Sequence, residues 1–352
     1  MNETKLYHPD ESGYLSQDGT KSYYSRIGWF CFLIGAVPFA VSILASIIIQ
    51  MFFPWIANAD LILSIVNYAI SFLGIYCIAT PIAMLAIKPL PKVRPIKENL
   101  KFSHFLAALC ICFTFMEVGS SISSMLLAFV QKITGLAPNN PVGTSLSTGN
   151  MLLNAVLVGI AFPILEEVVF RKLLCSRLLP LGEKKAIVIS AAIFGLIHGN
   201  LYQFAYAFLL GLVFGYVYVK TGKLIYTIIF HCIINLYSGV FAQFVISKVP
   251  IDEITELLTS ENVLADPNLF MEQLSPYASE IALYMAFAYI MLGLSLAGFI
   301  VLLVITVKRK ITFEQGILQT PREHRFSNFF LNSGIAAAIG FIAVSFFLSI
   351  FE

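Results

Sequence analysis

The sequence predicts an all-α polytopic membrane protein with about nine transmembrane helices. The chain has 352 residues, of which 58% are hydrophobic and 12% are charged, and its mean hydropathy is +0.84. A soluble domain has about 25% charged residues, and a membrane helix needs about 20 apolar residues. Apolar runs of this kind recur along the whole chain. The composition therefore excludes a soluble enzyme, a disordered chain and a coiled coil.

Five regions follow from the apolar runs and the loops between them. A polar tail (1–26) precedes three spans (27–148), a core of four spans (149–246), an acidic loop (247–280) and two last spans (281–352). The apolar spacing after Pro250 predicts a short amphipathic helix in the acidic loop. The nine runs fall at 27–53, 61–87, 102–130, 150–178, 186–200, 203–219, 224–246, 281–307 and 329–350.

The basic residues predict the orientation of these spans. Lysine and arginine collect on the cytoplasmic side of membrane proteins. If the N-terminus is cytoplasmic, only Lys132 and Lys248 of the 22 lysine and arginine residues fall outside. The pattern predicts a cytoplasmic N-terminal tail, an extracytoplasmic acidic loop and an extracytoplasmic C-terminus. The net charge is +2 and no basic tract indicates a nucleic-acid partner.

A few ionisable or amide side chains lie inside the apolar runs. A charged group at mid-bilayer costs about 2.5–3.5 kcal/mol on insertion scales, so each one is a functional hypothesis. The candidates are Glu117 in the third run, Glu166, Glu167 and Arg171 in the fourth, His198 in the fifth, and His231 with Asn235 in the seventh.

Three of these runs bring polar groups to similar depths. If Arg177, Lys185 and Lys223 mark the cytoplasmic surface, four polar groups lie about 12–19 Å below it, at 1.5 Å per helical residue. They are Glu166, His198, His231 and Asn235. Glu117 has no partner at helical spacing, so a helix–helix contact and a functional role both stay open for it.

Helical spacing assigns partners within each run. Glu167 and Arg171 are four residues apart in the acid-first order that favours an ion pair. Glu166 points about 100° away from Glu167. We therefore expect Arg171 to neutralise Glu167 and Glu166 to be available for chemistry. His231 and Asn235 are also four residues apart and share one helix face.

This set fits peptide hydrolysis in two ways. A carboxylate in an apolar pocket suits general base and then general acid work. Glu166 with His198 can activate a water molecule, and His231 with Asn235 can stabilise an oxyanion. Alternatively, Glu166, His198 and His231 form a zinc set with one open position for water. The H-E-x-x-H motif is absent, and the sequence leaves both chemistries open.

Three motifs carry a resemblance to a known family. They are E-E-x-x-x-R at 166–171, F-x-x-x-H at 194–198 and H-x-x-x-N at 231–235. Together they resemble the CPBP family of intramembrane proteases, which includes the type II CAAX prenyl endopeptidases and the bacterial Abi proteins. The resemblance covers about 150–246. It implies a CPBP-type helical core in which Glu166 and His198 activate water, while His231 and Asn235 form the oxyanion site.

The resemblance also implies a structural ion pair and a kind of substrate. Glu167 is implied to be structural with Arg171, and Phe194 to support the site. The expected substrate is a peptide or a lipidated protein, including a CAAX-type prenylated one, cut near the cytoplasmic face of a bacterial cell membrane. The reaction is expected to use either a divalent metal such as zinc or a metal-free glutamate mechanism, with membrane lipid as the surrounding partner.

Two other functions remain alternatives to proteolysis. Some proteins of this family act as scaffolds or in bacteriocin immunity, and such a protein would keep the motifs for packing alone. A proton-coupled transporter would use the buried carboxylates and histidines as a relay. Replacing Glu166 by glutamine separates catalysis from packing, since glutamine keeps the shape of the side chain and loses its proton chemistry.

Overall fold

A computed structural model describes residues 7, 9–10, 13–136, 150–260, 266–320 and 325–351 of the chain. Its named elements are helices. Parts of the predicted tail and of the acidic loop, and the linker 137–149, lie outside the described residues. The all-α membrane architecture is confirmed, because the described chain has eight helices long and apolar enough to cross a membrane.

Each of the nine predicted runs contains a helix. A further short helix, Ile251–Thr259, lies where the amphipathic helix was predicted in the acidic loop. The nine helices are α1 (Gln17–Phe52), α2 (Asp60–Ile87), α3 (Phe102–Thr134), α4 (Met151–Leu181), α5 (Glu183–Leu196), α6 (Leu201–Thr221), α7 (Leu224–Ile246), α8 (Asn268–Val307) and α9 (Ser333–Ile350).

The fifth predicted span differs from the expectation. Helix α5 has 14 residues and is about 21 Å long, whereas the hydrocarbon core is about 30 Å thick. It ends at Leu196 because Gly199 has a left-handed φ of 67° and Asn200 caps the next helix by accepting the backbone N–H of Gln203 at 3.0 Å. His198 therefore lies in the turn between α5 and α6, and the prediction of a continuous helix over 186–200 is wrong at its end.

The basic loops lie on one face of the bundle, as the alternation of charges predicts. We call this the basic face, made by residues 13–16, 88–101, 176–183, 221–223 and 308–320. Backbone hydrogen bonds tie these segments together across large sequence distances. The bonds run from Val93 N to Ser176 O (2.9 Å), Glu98 N to Thr221 O (2.8 Å), Leu318 N to Pro180 O (2.8 Å) and Gln319 N to Gly13 O (2.9 Å).

Helix α6 occupies the centre of the core, with α3 on one side and α5 on the other. Glycines allow these close approaches. A Cβ added at Gly119 of α3 would lie 2.3 Å from the Cα of Tyr206, and one at Gly211 of α6 would lie 3.0 Å from the Cα of Ala191. Small residues give membrane helices this kind of backbone contact. The packing fixes α4, α5 and α7, which carry the motif residues, around α6.

Candidate active site

Helix α4 has two segments of wide helical turns, one before the first motif and one that includes the last four residues of that motif. Leu157–Ala161 and Val168–Cys175 are π-helical, with backbone hydrogen bonds to the fifth residue back instead of the fourth. A third such segment, Asn235–Phe241, begins at the last motif residue on α7. Such turns are rare and are frequent at functional sites, because they re-aim side chains relative to a regular helix.

The Asn235 side chain supplies a hydrogen bond to a backbone carbonyl of α4. In the first π-helical segment, the N–H of Phe162 donates to the carbonyl of Leu157. The next carbonyl, that of Val158, would pair in this register with the N–H of residue 163, which is a proline and has none. The Asn235 amide Nδ2 donates to the Val158 oxygen instead, at 3.0 Å. This bond joins α7 to α4 and uses one of the two N–H groups of the amide.

Removal of the Asn235 amide should destabilise the protein, because the Val158 carbonyl loses its hydrogen-bond donor. We expect Asn235→Ala to lower the free energy of unfolding by about 1–3 kcal/mol, the cost of an unpaired buried acceptor. In a Pro163→Ala background the cost should be smaller, because the alanine backbone supplies the missing N–H. Denaturant unfolding of the four proteins in detergent measures both values. Equal costs in the two backgrounds would show that Asn235 does not act through the Val158 carbonyl.

Glu167 and Arg171 form a fully buried ion pair. Both side chains are 0% exposed, and Arg171 Nε lies 3.1 Å from Glu167 Oε2. Arg171 Nη1 donates to Ser190 Oγ of α5 at 2.7 Å. The guanidinium carbon lies 5.3 Å from the ring centroid of Phe194 and 5.9 Å from that of Phe214. The two aromatic rings thus stabilise the cation, which is shielded from solvent.

His231 lies between the two glutamates. Its Nδ1 is 3.2 Å from Glu167 Oε1, and its Nε2 is 3.5 Å from Glu166 Oε2. The ring packs against Phe194 and Phe214, with centroids 5.7 and 5.2 Å away. Helix α7 thereby reaches both carboxyl groups, although these point in different directions from α4.

The contacts of His231 indicate which atoms of this cluster carry hydrogens. A carboxylate oxygen accepts hydrogen bonds, so the Nδ1 that faces Glu167 carries a hydrogen. If Nε2 and Glu166 were both unprotonated, two acceptors would face each other, so one proton belongs to that pair. His231 thus contacts both carboxyl groups, one from each side of its ring.

His198 presents a free nitrogen to the same region. Its Nδ1 is 2.7 Å from the carbonyl oxygen of Phe194, and a carbonyl only accepts, so Nδ1 carries the hydrogen. In the neutral ring, Nε2 is then an acceptor. His198 interacts electrostatically with both Glu166 and His231. The Glu166 side chain is 25% exposed, whereas that of Glu167 is 0% exposed, so Glu166 is the accessible carboxylate.

One comparison with known proteins finds a match, and it covers these helices. Residues 148–237 match the family model described as type II CAAX prenyl endopeptidase Rce1-like. This core is similar to the CPBP/CAAX protease family. The matched segment is under a third of the chain and contains all three motifs. Neither the comparison with curated proteins nor the comparison with solved structures gives a match.

The matched core brings together six of the seven side chains that the motifs supply. The seventh, Asn235, is held beside the cluster by Val158. Glu117 of α3 is not among the groups that contact it. Sequence reasoning missed Ser190 and Phe214, which also contact Arg171 of the ion pair. Ser190 is a single hydroxyl in an apolar run, and nothing marks Phe214 among 31 phenylalanines.

The three predicted zinc ligands, Glu166, His198 and His231, are not arranged as a metal site in the described residues. A zinc ion needs nitrogen or oxygen ligands about 2 Å from one point. In the part of the chain that the structure describes, no group of three or more His, Cys, Asp or Glu side chains is arranged to hold a metal ion. His231 has both nitrogens directed at carboxylates.

Proposed function

We propose that this protein is an intramembrane endopeptidase that hydrolyses peptide bonds of membrane-associated substrates, CAAX-type prenylated proteins among them. One observation carries the proposal. Glu166 is the accessible carboxylate of a cluster whose other carboxylate is buried and paired, and it interacts electrostatically with His198, whose Nε2 is a free acceptor. The Rce1-like match supports the assignment to a protease family.

In the proposed reaction, Glu166 and His198 hold the attacking water. Glu166 takes one proton, the water oxygen bonds to the carbonyl carbon, and the electron pair of the C=O bond moves to oxygen. Once Glu166 has taken the proton, His231 Nε2–H can turn from it to the oxyanion, and the second N–H of Asn235 also donates there. When the C–N bond breaks, Glu166 returns the proton to the leaving amine. General base catalysis of this kind contributes about 10²–10⁴-fold.

The basic face gives the proposed enzyme its orientation. By the positive-inside rule this face lies in the cytoplasm, with the N-terminal tail. The C-terminus and the acidic loop then lie on the opposite side. Glu166 is 11 residues before Arg177 in the sequence, which places it about 16 Å below the basic face. Substrate would therefore reach the site from the cytoplasmic side.

A scaffold function is the second candidate, because several motif residues join helices. The Glu167–Arg171–Ser190 contacts tie α4 to α5, and Asn235 ties α7 to α4. These contacts explain the motifs without chemistry. They do not explain why the Glu166 carboxyl is accessible, which is why proteolysis is the first proposal.

Terminal-peptide mass spectrometry tests the proposed function without a known substrate. Membranes would be compared from cells that produce the wild type, Glu166→Gln or Glu117→Gln at matched levels. Glu117→Gln is the control, since it removes a carboxyl from another membrane helix. We expect new peptide termini with the wild type and the control, and none of them with Glu166→Gln. Identical termini in all three membranes would contradict proteolysis and favour the scaffold function.

A further inference from the structure

Helix α2 covers the face of α4 that carries Glu166. Tyr76 of α2 packs against Phe162, with ring centroids 6.0 Å apart. Phe162 is four residues before Glu166, so the two share one face of α4, one turn apart. Tyr76 also interacts electrostatically with Glu166. A residue outside the matched segment 148–237 therefore lies at the level of the proposed reaction.

The backbone of α2 around Tyr76 is π-helical, as are segments of α4 and α7. Tyr76 lies in Leu73–Ala79, which is π-helical. Such turns re-aim side chains and are frequent at functional sites. The other three π-helical segments lie on α4 and α7, the helices that bear Glu166 and His231. The wide turn thus directs Tyr76 toward the helices of the site.

The hydroxyl of Tyr76 is free to donate. Within the described residues it makes no hydrogen bond, and it is not among the fully buried unpaired polar atoms. Tyr68, two turns earlier on α2, differs in this respect. Its ring also packs on Phe162 at 6.0 Å, but its hydroxyl donates to Asn154 Oδ1 at 2.6 Å. Tyr68 therefore has a structural bond, whereas Tyr76 has an unused donor near Glu166.

The proposed site has few donors for an oxyanion. His231 lies between two carboxylates, and Asn235 has given one N–H to Val158. Tyr76 interacts electrostatically with Glu166 and makes no hydrogen bond to it in the described residues. A free donor near the proposed base would meet the carbonyl oxygen as it becomes negative, where such donors contribute most.

We infer that Tyr76 is a further catalytic residue, whose hydroxyl donates a hydrogen bond to the oxyanion of the tetrahedral intermediate. The inference rests on the proposed function. As water adds to the carbonyl carbon and its proton passes to Glu166, the Tyr76 hydroxyl donates to the carbonyl oxygen and keeps its own proton. When the C–N bond breaks, the C=O bond re-forms, and the amine takes the proton from Glu166.

The test compares Tyr76→Phe with Tyr68→Phe and Glu166→Gln. Purified proteins in liposomes would be given one of the substrates that terminal-peptide mass spectrometry identifies, and kcat, KM and the unfolding midpoint would be measured. We expect Tyr76→Phe to lower kcat by about 10²-fold, the effect of a lost oxyanion donor, with little change in KM or stability. Tyr68→Phe should lower the unfolding midpoint and keep the wild-type kcat.

The possible outcomes separate the inference from the proposed function. If Glu166→Gln is as active as the wild type, or if no substrate is cut, the proposed function fails and the inference fails with it. If Glu166→Gln is inactive while Tyr76→Phe keeps the wild-type kcat, the inference alone is overturned. Equal losses of stability and activity in Tyr76→Phe and Tyr68→Phe would also overturn it, because they would assign Tyr76 to packing.

Discussion

Replacing Glu166 by glutamine is expected to lower the rate of peptide hydrolysis by about 10²–10⁴-fold, the contribution of a general base. Glutamine keeps the size of the side chain and one acceptor oxygen, but it cannot take a proton from water. The side chain is 25% exposed, so the change leaves no fully buried charge without a partner. The fold should therefore persist, and size-exclusion profiles and unfolding midpoints in detergent would match those of the wild type.

A matched variant separates this effect from the general loss of a membrane carboxyl. Glu117 lies on α3 and is not in the cluster, so Glu117→Gln should retain the wild-type rate. Kinetics of the purified proteins in liposomes, with one substrate for all three, give the comparison. A folded Glu166→Gln protein that turns over substrate at the wild-type rate would remove Glu166 from the mechanism.

The Arg171→Met variant is expected to lose about 3–5 kcal/mol of folding free energy, the cost of breaking one side of a buried ion pair. Methionine fills part of the volume but leaves the Glu167 carboxylate fully buried without its cation. Ser190 also loses the guanidinium that donates to it. Denaturant unfolding in detergent measures the loss. Lys172→Met is the control, since Lys172 is the next residue on α4 and is exposed, and its replacement should change stability little.

A double variant shows whether the loss comes from the unpaired charge. Glu167→Gln removes the carboxylate, so adding it to Arg171→Met should cost less than the sum of the two single changes. His231 still finds an acceptor in the amide oxygen of the glutamine. Strictly additive losses would mean that Glu167 and Arg171 stabilise the fold independently, contrary to the geometry of the pair.

Much of the fold can be predicted from the sequence, because a membrane restricts the structures that a chain can adopt. Backbone polar groups must be paired inside the bilayer, so long apolar runs become helices. The grouping of loops on the basic face follows from the placement of lysine and arginine. The end of α5 was not predicted, since hydropathy continues through residue 200. The chain leaves the helix there for local reasons, the left-handed Gly199 and the capping Asn200.

Only part of the candidate site can be predicted from the sequence. Contacts within one helix can be predicted, whereas contacts between helices cannot. Contacts within one helix obey fixed spacing, so the pairing of Glu167 with Arg171 could be predicted. Contacts between helices depend on packing. Spacing did not indicate that His231 reaches both glutamates or that Tyr76 packs against Phe162, one turn from Glu166. The role of Asn235 depends on a π-helical segment and on Pro163, and hydropathy carries no information on either.

Isotopic labelling of the cleavage product tests most directly whether the Glu166 site hydrolyses peptide bonds. The purified wild type and Glu166→Gln would be reconstituted in liposomes with one substrate identified from its new termini, in water enriched in oxygen-18. Mass spectrometry of the new C-terminal peptide reads the result. We predict heavy oxygen from solvent in the new carboxyl group with the wild type and no such product with Glu166→Gln. Equal amounts of labelled product from both proteins, or no cleavage by the wild type, would contradict hydrolysis at this site.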